Sequence, residues 1–506
     1  MNDNKRIAKN TLLLYLRMMF TMIVSLYTSR IVLQNLGVED YGLYQVVGGV
    51  VGLLSFLNLT LSDGSARFLM YGLGEGNPSK LNQLFSTLLS IHIILALFIV
   101  VIAETVGLWF VQQKLVIPED RKDVALIVYH ISILSAVFSI TQPPYTASIK
   151  SHERMDIYAY TGITDTILKF IIVYLLILSP IDKLVFYAIL LFIENVGMLL
   201  FLRYFCITHF PETKYKPQIN KPMLKEVMGY SLWNLYYNIA QSLNTQGLLV
   251  MINLFFNAGV VTALSIANTV KGAVSTLVEN FRVAVTPQIV KRYAAGDTQS
   301  SMNLVLSSTK YSFYLLFLLA LPIFFVAPEL IHLWLGIVPD YTVMFLRFII
   351  IITIFHLFAS CFYTALNAMG RIKENAIIRS TIYILSFPVI YILFKYGFSP
   401  IALSWVMLFT EGFLGLVVLP ILIIKIGKYK MVDIIAIYKK CLFIVVLSLP
   451  LPLFVYINAG NNEWIRLFVI SISCLISSVA VIWFYGLNKY YRSKVLGFVK
   501  QKFHHK

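Results

Sequence analysis

Charge is what this chain has least of. Only 13% of its 506 residues are Asp, Glu, Lys or Arg, against roughly 25% in soluble proteins. So few charges cannot solvate a soluble protein of this length, which excludes a soluble enzyme. Cysteine is scarce too. Cys206, Cys361, Cys441 and Cys474 are the only four; all lie inside or at one end of apolar runs, so no disulfide is expected, and their spacing fits no metal site. No Gly-x-x-x-x-Gly-Lys phosphate loop occurs, so this chain is not expected to hydrolyse ATP. Long external loops, where membrane glycosyltransferases and polymerases hold catalytic carboxylates, are also missing. The reading is therefore a non-enzyme with no catalytic residues, metal or cofactor.

What the chain has is apolar sequence throughout: 58% hydrophobic residues and a mean hydropathy of +0.78. A membrane-crossing helix needs about 20 residues. Apolar windows suggest spans at 11–35, 41–63, 84–110, 124–149, 156–179, 184–208, 226–256, 259–286, 304–334, 342–369, 375–395, 400–426, 436–457 and 464–487. The net charge is +17, from 41 Lys and Arg against 24 Asp and Glu. With the N-terminus inside, alternate connections and the span ends beside them hold 27 of the basic residues on one side and 6 on the other, with 8 left deep within spans. This is the positive-inside pattern. It accounts for the basic excess without nucleic acid and places both termini in the cytoplasm. Lys5, Arg6 and Lys9 precede a long apolar run without a small-residue cleavage site, which reads as a retained first span rather than a signal peptide.

A weak internal repeat is offset by about 220 residues. Gly74-Glu75-Gly76-Asn77 resembles Ala294-Ala295-Gly296-Asp297, and Tyr145-Thr146-Ala147 resembles Tyr363-Thr364-Ala365, with Asp156 and Glu374 at matching distances beyond. Six spans per copy keep the two copies parallel, as in one class of transporter. The expected architecture is all-α and polytopic, with about 14 transmembrane helices. A six-helix lobe at 1–215 and another at 216–430 precede two additional helices at 431–488 and a basic cytoplasmic tail at 489–506.

Charges inside spans cost at least about 2.5–3.5 kcal/mol, so each needs a partner, water or a function. Span one holds Arg17 and Arg30, about 20 Å apart along the axis. Arg17 lies about a third of the way in and favours a cavity-facing role; Arg30 is near enough to the outside for snorkelling to compete. In span eight, Lys271 and Arg282 differ by only about 20° in azimuth. That cationic stripe suits an anionic ligand, although Glu279 lies one turn from Arg282 and could neutralise it. Asp165 and Lys169 in span five have the i,i+4 spacing of a helical ion pair. Glu104, Glu194 and Glu411 lack an obvious partner and are candidates for binding a coupling ion. Asp63 reads as a helix-terminal polar residue.

Span seven is unusually polar. Asn234, Asn238, Gln241 and Thr245 form one stripe, with Trp233, Tyr236 and Tyr237 alongside. Amides and aromatic rings suit sugar hydroxyls and pyranose faces, and the same residue types serve as polar glue between helices.

The Asn10-Thr11 to Arg30 span, the Leu36-Gly37-Val38-Glu39-Asp40-Tyr41-Gly42-Leu43-Tyr44 turn and the Gly-rich loop at 72–76 carry a family likeness. Over essentially its whole length the chain resembles the polysaccharide transporter family, the bacterial flippases of lipid-linked O-antigen and capsule oligosaccharides. These belong to the multidrug/oligosaccharidyl-lipid/polysaccharide exporter superfamily. The resemblance implies two lobes around a cationic cavity lined by spans one, two, seven and eight, and alternating access in the bacterial inner membrane. By span, it makes Arg17, Lys271 and Arg282 the candidates for a substrate pyrophosphate. The implied partners are the lipid-linked oligosaccharide, membrane lipids, and the polymerase and glycosyltransferases of polysaccharide assembly. Two other readings compete: a cation-coupled multidrug exporter of the same superfamily, which would prefer an acidic cavity, and a membrane glycosyltransferase or polymerase.

Overall fold

The computed structural model describes residues 3–74, 77–488 and 492–493; the described side chains exclude 3–17, 63–64, 66–67, 155, 158, 225–234, 283–284 and 372. Among the described residues there is no strand, and the chain is a polytopic all-α membrane protein. It divides into two compact units. One comprises Met1–Ile266, Pro339–Tyr341 and Ala376–Ala402; the other comprises Ala267–Val338, Thr342–Asn375 and Leu403–Lys506. The lobe boundaries expected at 215 and 430 stay a proposal.

The helices run α1 (Asp3–Leu53), α2 (Ser55–Gly74), α3 (Pro78–Ile102), α4 (Leu108–Gln113), α5 (Lys122–Ile140), α6 (Pro143–Ser151), α7 (Met155–Leu175), α8 (Lys183–His209), α9 (Lys221–Ser242) and α10 (Leu248–Phe255). They continue as α11 (Ala258–Ala294), α12 (Thr298–Phe325), α13 (Ala327–Leu335), α14 (Thr342–Ala368), α15 (Ile372–Lys395), α16 (Ile401–Phe413), α17 (Leu419–Gly427), α18 (Met431–Ser448), α19 (Pro450–Asn458) and α20 (Glu463–Val481). Eleven stretches among the described residues are long and apolar enough to cross a membrane, or twelve if the bent pair Met18–Leu53 and Ser55–Ser62 is one span. Fourteen were expected. The first two expected spans form one helical run interrupted at Gly37, whose φ of 81° a side chain would strain. The seventh is helical over 221–255, but its amide stripe makes it too polar to count.

Proline sets several breaks, because it cannot donate to the preceding turn. Helix α5 stops before Pro143-Pro144, and α19 begins at Pro450. Four π-turns, at 103–107, 243–247, 414–418 and 482–486, end α3, α9, α16 and α20. In three cases a tyrosine hydroxyl donates to a carbonyl of the turn. Tyr129 Oη donates to Ala103 at 2.7 Å, Tyr438 to Gly415 at 2.6 Å and Tyr314 to Gly486 at 3.1 Å.

In the first unit, α1 packs on α7, α5 on α8, and α2 on α6 and α9. The 210–220 connection is tied along α3, although most of its residues are exposed. Asn82 Nδ2 donates to the carbonyls of Glu212 and Lys214, both at 2.8 Å, while the Lys216 and Asn220 amides donate to Ser86 and Thr87. The polar face of α3 thus pins the connection to the first unit. In the second unit, α12 packs on α14, α18 and α20, and α14 on the 414–418 turn and α17.

The repeated loops do the same jobs. Asn77 caps α3 by accepting from Lys80 N, and Asp297 caps α12 by accepting from Ser300 N, each at 3.1 Å. Asp156 pairs with Arg154 at 3.0 Å, and Glu374 with Arg371 at 2.9 Å.

Candidate functional site

The side chains of Arg17, Asn234, Asp63 and Trp233 lie outside the described residues. The other expected substrate-binding residues are distributed over both units. Arg30 in the first unit is half-buried and makes no hydrogen bond or ion pair among the described residues. It sits just before the Gly37 break, on a helix held against α7 by hydrogen bonds from Thr21 to Thr166 at 3.1 Å and Tyr27 to Tyr174 at 2.9 Å.

The span-seven stripe does not form one open face. Asn238 is buried and donates to Thr60 Oγ1 of α2 at 3.1 Å, so its amide ties two helices together. The π-turn at 243–247 then rotates the register, and Thr245 returns its hydroxyl to the Gln241 carbonyl at 3.1 Å. Gln241 remains half-buried. Beside the stripe, Tyr236 Oη meets Thr381 Oγ1 of α15 at 2.8 Å.

In the second unit, Lys271 is half-buried. Arg282 extends to α14, where its Nη2 donates to the Ser360 carbonyl at 2.7 Å and to Thr364 Oγ1 at 3.1 Å. Glu279 is exposed, and no Glu279–Arg282 ion pair forms among the described residues. The closeness in azimuth of Lys271 and Arg282 therefore coexists with an Arg282 already engaged in helix packing.

The three candidate carboxylates correct the expectation that they lack partners. Glu104, on the 103–107 turn, has His130 Nδ1 3.1 Å from its Oε1. Glu411, buried on α16, has His356 Nδ1 of α14 at 3.2 Å. Glu194 is 7% exposed and interacts with Lys169 and Asp165 of the neighbouring α7. Lys169 Nζ holds both Asp165 oxygens at 2.8 and 2.9 Å, the ion pair that the spacing suggested. Glu194 Oε1 is buried without a hydrogen-bond partner. It borders a groove of about 690 Å³ between α7 and α8, otherwise lined mostly by apolar residues such as Leu168, Ile171 and Phe201.

Among the intramembrane basic groups that escaped the sequence reading, two are buried and held by neighbouring polar groups. Arg379 on α15 is 5% exposed and donates through Nε and Nη2 to Tyr383 Oη at 3.0 and 2.8 Å. His92 is fully buried, with Nδ1 2.7 Å from the Ile140 carbonyl and Nε2 3.2 Å from Ser65 Oγ. The signal for Arg379 was available, since an arginine within an apolar window demands an explanation. A second cavity, of about 300 Å³, lies within the first unit. Tyr44, Asn58, Ser132, Ser135 and Ser139 supply its polar lining. Outside the membrane, Asp182 caps α8 and pairs with Arg121 Nη1 at 2.7 Å. Burial pushes its carboxyl up, but the Arg121 guanidinium and the Val185 and Leu184 amides outweigh that and hold it below the usual range.

No family model and no curated protein sequence matches the chain. Solved structures do. A structure of the lipid II flippase MurJ in an inward closed conformation is similar over 93% of this chain and 99% of that one, at 15% identity and a TM-score of 0.68. An inward-facing multidrug resistance MATE family transporter of the MOP superfamily matches over 79% of this chain and 95% of its own, at 14% identity and a TM-score of 0.65. A MOP superfamily transporter from Pyrococcus furiosus, described as having a binding pocket of reverse polarity, matches over 81% and 93%, at 15% identity and a TM-score of 0.57. At these identities the likeness establishes the fold: the chain shares the fold of these three solved structures.

Proposed function

We propose that the protein is a flippase of the bacterial inner membrane. It moves polyprenyl-diphosphate-linked oligosaccharide units from the cytoplasmic to the external leaflet, for assembly of surface polysaccharide such as O-antigen or capsule. The observation that carries this reading is the basic character of spans one and eight. Arg17, Arg30, Lys271 and Arg282 stand there against the single carboxylate Glu279.

A lipid diphosphate cannot cross hydrocarbon because its phosphates and hydroxyls would lose their water. Cationic side chains in a wet cavity replace part of that hydration while the polyprenyl tail stays in lipid. Arg30 and Lys271 are half-buried, and Arg282 is also engaged with α14. Gln241, and Asn234 on the same stripe, offer amides to sugar hydroxyls. Few, spread charges also allow release on the far side. Access alternates between the two faces, both termini are cytoplasmic, and polymerase and glycosyltransferases act on the same lipid-linked material.

The carboxylates of spans three, six and twelve, Glu104, Glu194 and Glu411, suit ion coupling under this reading. A cation-coupled multidrug exporter is the alternative, favoured by these same intramembrane carboxylates. Deleting the gene separates the two. A flippase deletion accumulates complete lipid-linked oligosaccharide and loses surface polysaccharide. An exporter deletion leaves both unchanged and sensitises the cell to cationic compounds.

A further inference from the structure

The hairpin of α7 and α8 brings three charges to one depth. Helix α8 begins at Lys183, and Glu194 lies eleven residues later; eleven residues before Leu178, where the preceding helical run ends, is position 167. Position 167 is midway between Asp165 and Lys169. At about 1.5 Å per residue this depth is roughly 16 Å, near the middle of a hydrocarbon core about 30 Å thick.

The charges at that depth do not balance. Lys169 neutralises Asp165, holding both of its oxygens. Glu194 remains, 93% buried by its 7% exposure, with an oxygen that has no partner, beside an apolar groove. With all three groups ionised, the net charge is −1 in hydrocarbon. The charged groups that act on Glu194 from α7 are Lys169 and Asp165, the latter also through a side-chain hydrogen bond. Helix α5, also packed on α8, meets the adjacent Asn195 with the hydroxyls of Ser135 at 2.7 Å and Ser139 at 3.2 Å. Helix α1 brings Tyr44 against Tyr187, with ring centres 5.3 Å apart.

We propose that Glu194, Asp165 and Lys169 form a site that binds one proton, and that loading and unloading this proton accompanies each transport cycle. A proton taken from water forms one O–H bond on the carboxyl pair and brings the net charge to zero. Its return to water on the other side restores −1. The coupling to transport rests on the flippase reading, whereas the proton site itself does not.

The groove gives an apolar reagent a path to Glu194, so the purified full-length protein in detergent can be treated with dicyclohexylcarbodiimide. This reagent takes the proton of a carboxylic acid, is attacked by the resulting carboxylate, and rearranges to a stable N-acylurea that peptide mass spectrometry locates. Labelling at Glu194 or Asp165 should decrease tenfold per pH unit above a single midpoint and be indifferent to Na⁺. Lys169→Gln should raise that midpoint by a pH unit or more, because two carboxylates then repel without a cation. Asp165→Asn should lower it by a similar amount, and serves alone if Lys169→Gln does not fold. Absent or pH-independent labelling would overturn the proposal, as would protection by Na⁺ at constant pH or failure of Asp165→Asn to shift the midpoint. No substrate is needed, so a failed flipping assay and a failed titration remain separate results.

Discussion

Two glycines on one helical run provide a controlled test of how tightly the second unit is packed. A Cβ on Gly415 would lie 2.5 Å from the Phe355 carbonyl oxygen and 3.5 Å from the Ala359 nitrogen, whereas one on Gly412 meets nothing within 4 Å. Contacts under 3.0 Å are essentially never seen for real Cβ atoms, so Gly415→Ala forces α14 away from the 414–418 turn. Overpacking of this kind costs about 1–3 kcal/mol. Gly412→Ala, at an open helical position, should instead stabilise by roughly 0.5–1 kcal/mol through reduced backbone entropy. The two single-methyl changes should therefore differ by about 1.5–4 kcal/mol. Unfolding by SDS in mixed micelles, followed by tryptophan fluorescence, reads the difference; Trp405 of α16, one of six tryptophans, packs against Phe348 of α14 at 4.8 Å. The Glu411–His356 contact of 3.2 Å spans the same two helices, and His356 follows Phe355. Gly415→Ala should therefore also impair transport, whereas Gly412→Ala should not. Equal stability of the two variants would refute the close approach on which the reasoning rests.

Three further predictions follow from particular contacts. Asp182→Asn retains an oxygen to cap α8 but loses the charge facing Arg121. Because the folded carboxyl is held below its ordinary value near 3.9, its contribution is fully present above that value and disappears as pH falls through the lowered one. The variant should thus be less stable than wild type at pH 7, with the gap closing towards pH 3 in thermal melts. Lys271→Ala and Arg30→Ala should each reduce substrate binding by roughly ten- to a hundredfold, from about 1.5–3 kcal/mol per charged hydrogen bond. Export at matched membrane abundance checks this, and normal export by both would remove them from the site. All four native cysteines are buried. Single cysteines at Asp120 or Asn461 should accordingly react with an impermeant thiol reagent in intact cells, while one at Lys373 should not; the reverse pattern inverts the topology.

The sequence exposed some of these features because their causes are local. The Leu36–Tyr44 turn contains the Gly37 bend, and i,i+4 spacing anticipates the Asp165–Lys169 pair, whereas the expected spans 124–149 and 436–457 run through the breaks at Pro143-Pro144 and Pro450. The histidine partners were not legible. His356 lies 55 residues from Glu411, and helix packing, not sequence spacing, brings them together. Glu194 is intermediate: the short 179–182 turn makes α7 and α8 antiparallel neighbours, and counting outward from it puts Glu194 level with the ion pair. The amide stripe of span seven had the right period but two uses. Asn238 bonds Thr60 because α2 and α9 pack closely there, and a π-turn then breaks the stripe's continuity.

The central claim is leaflet exchange of a lipid-linked oligosaccharide. Purified protein reconstituted into liposomes with a radiolabelled polyprenyl-diphosphate oligosaccharide tests it directly, using a glycosidase added outside to cleave only sugars in the outer leaflet. Substrate is first stripped from the outer leaflet by the enzyme, and its reappearance there is then followed. The account predicts reappearance well above protein-free liposomes, reduced at least tenfold by Lys271→Ala. Reappearance no faster than in protein-free liposomes, while the same preparation transports a cationic drug, would contradict it.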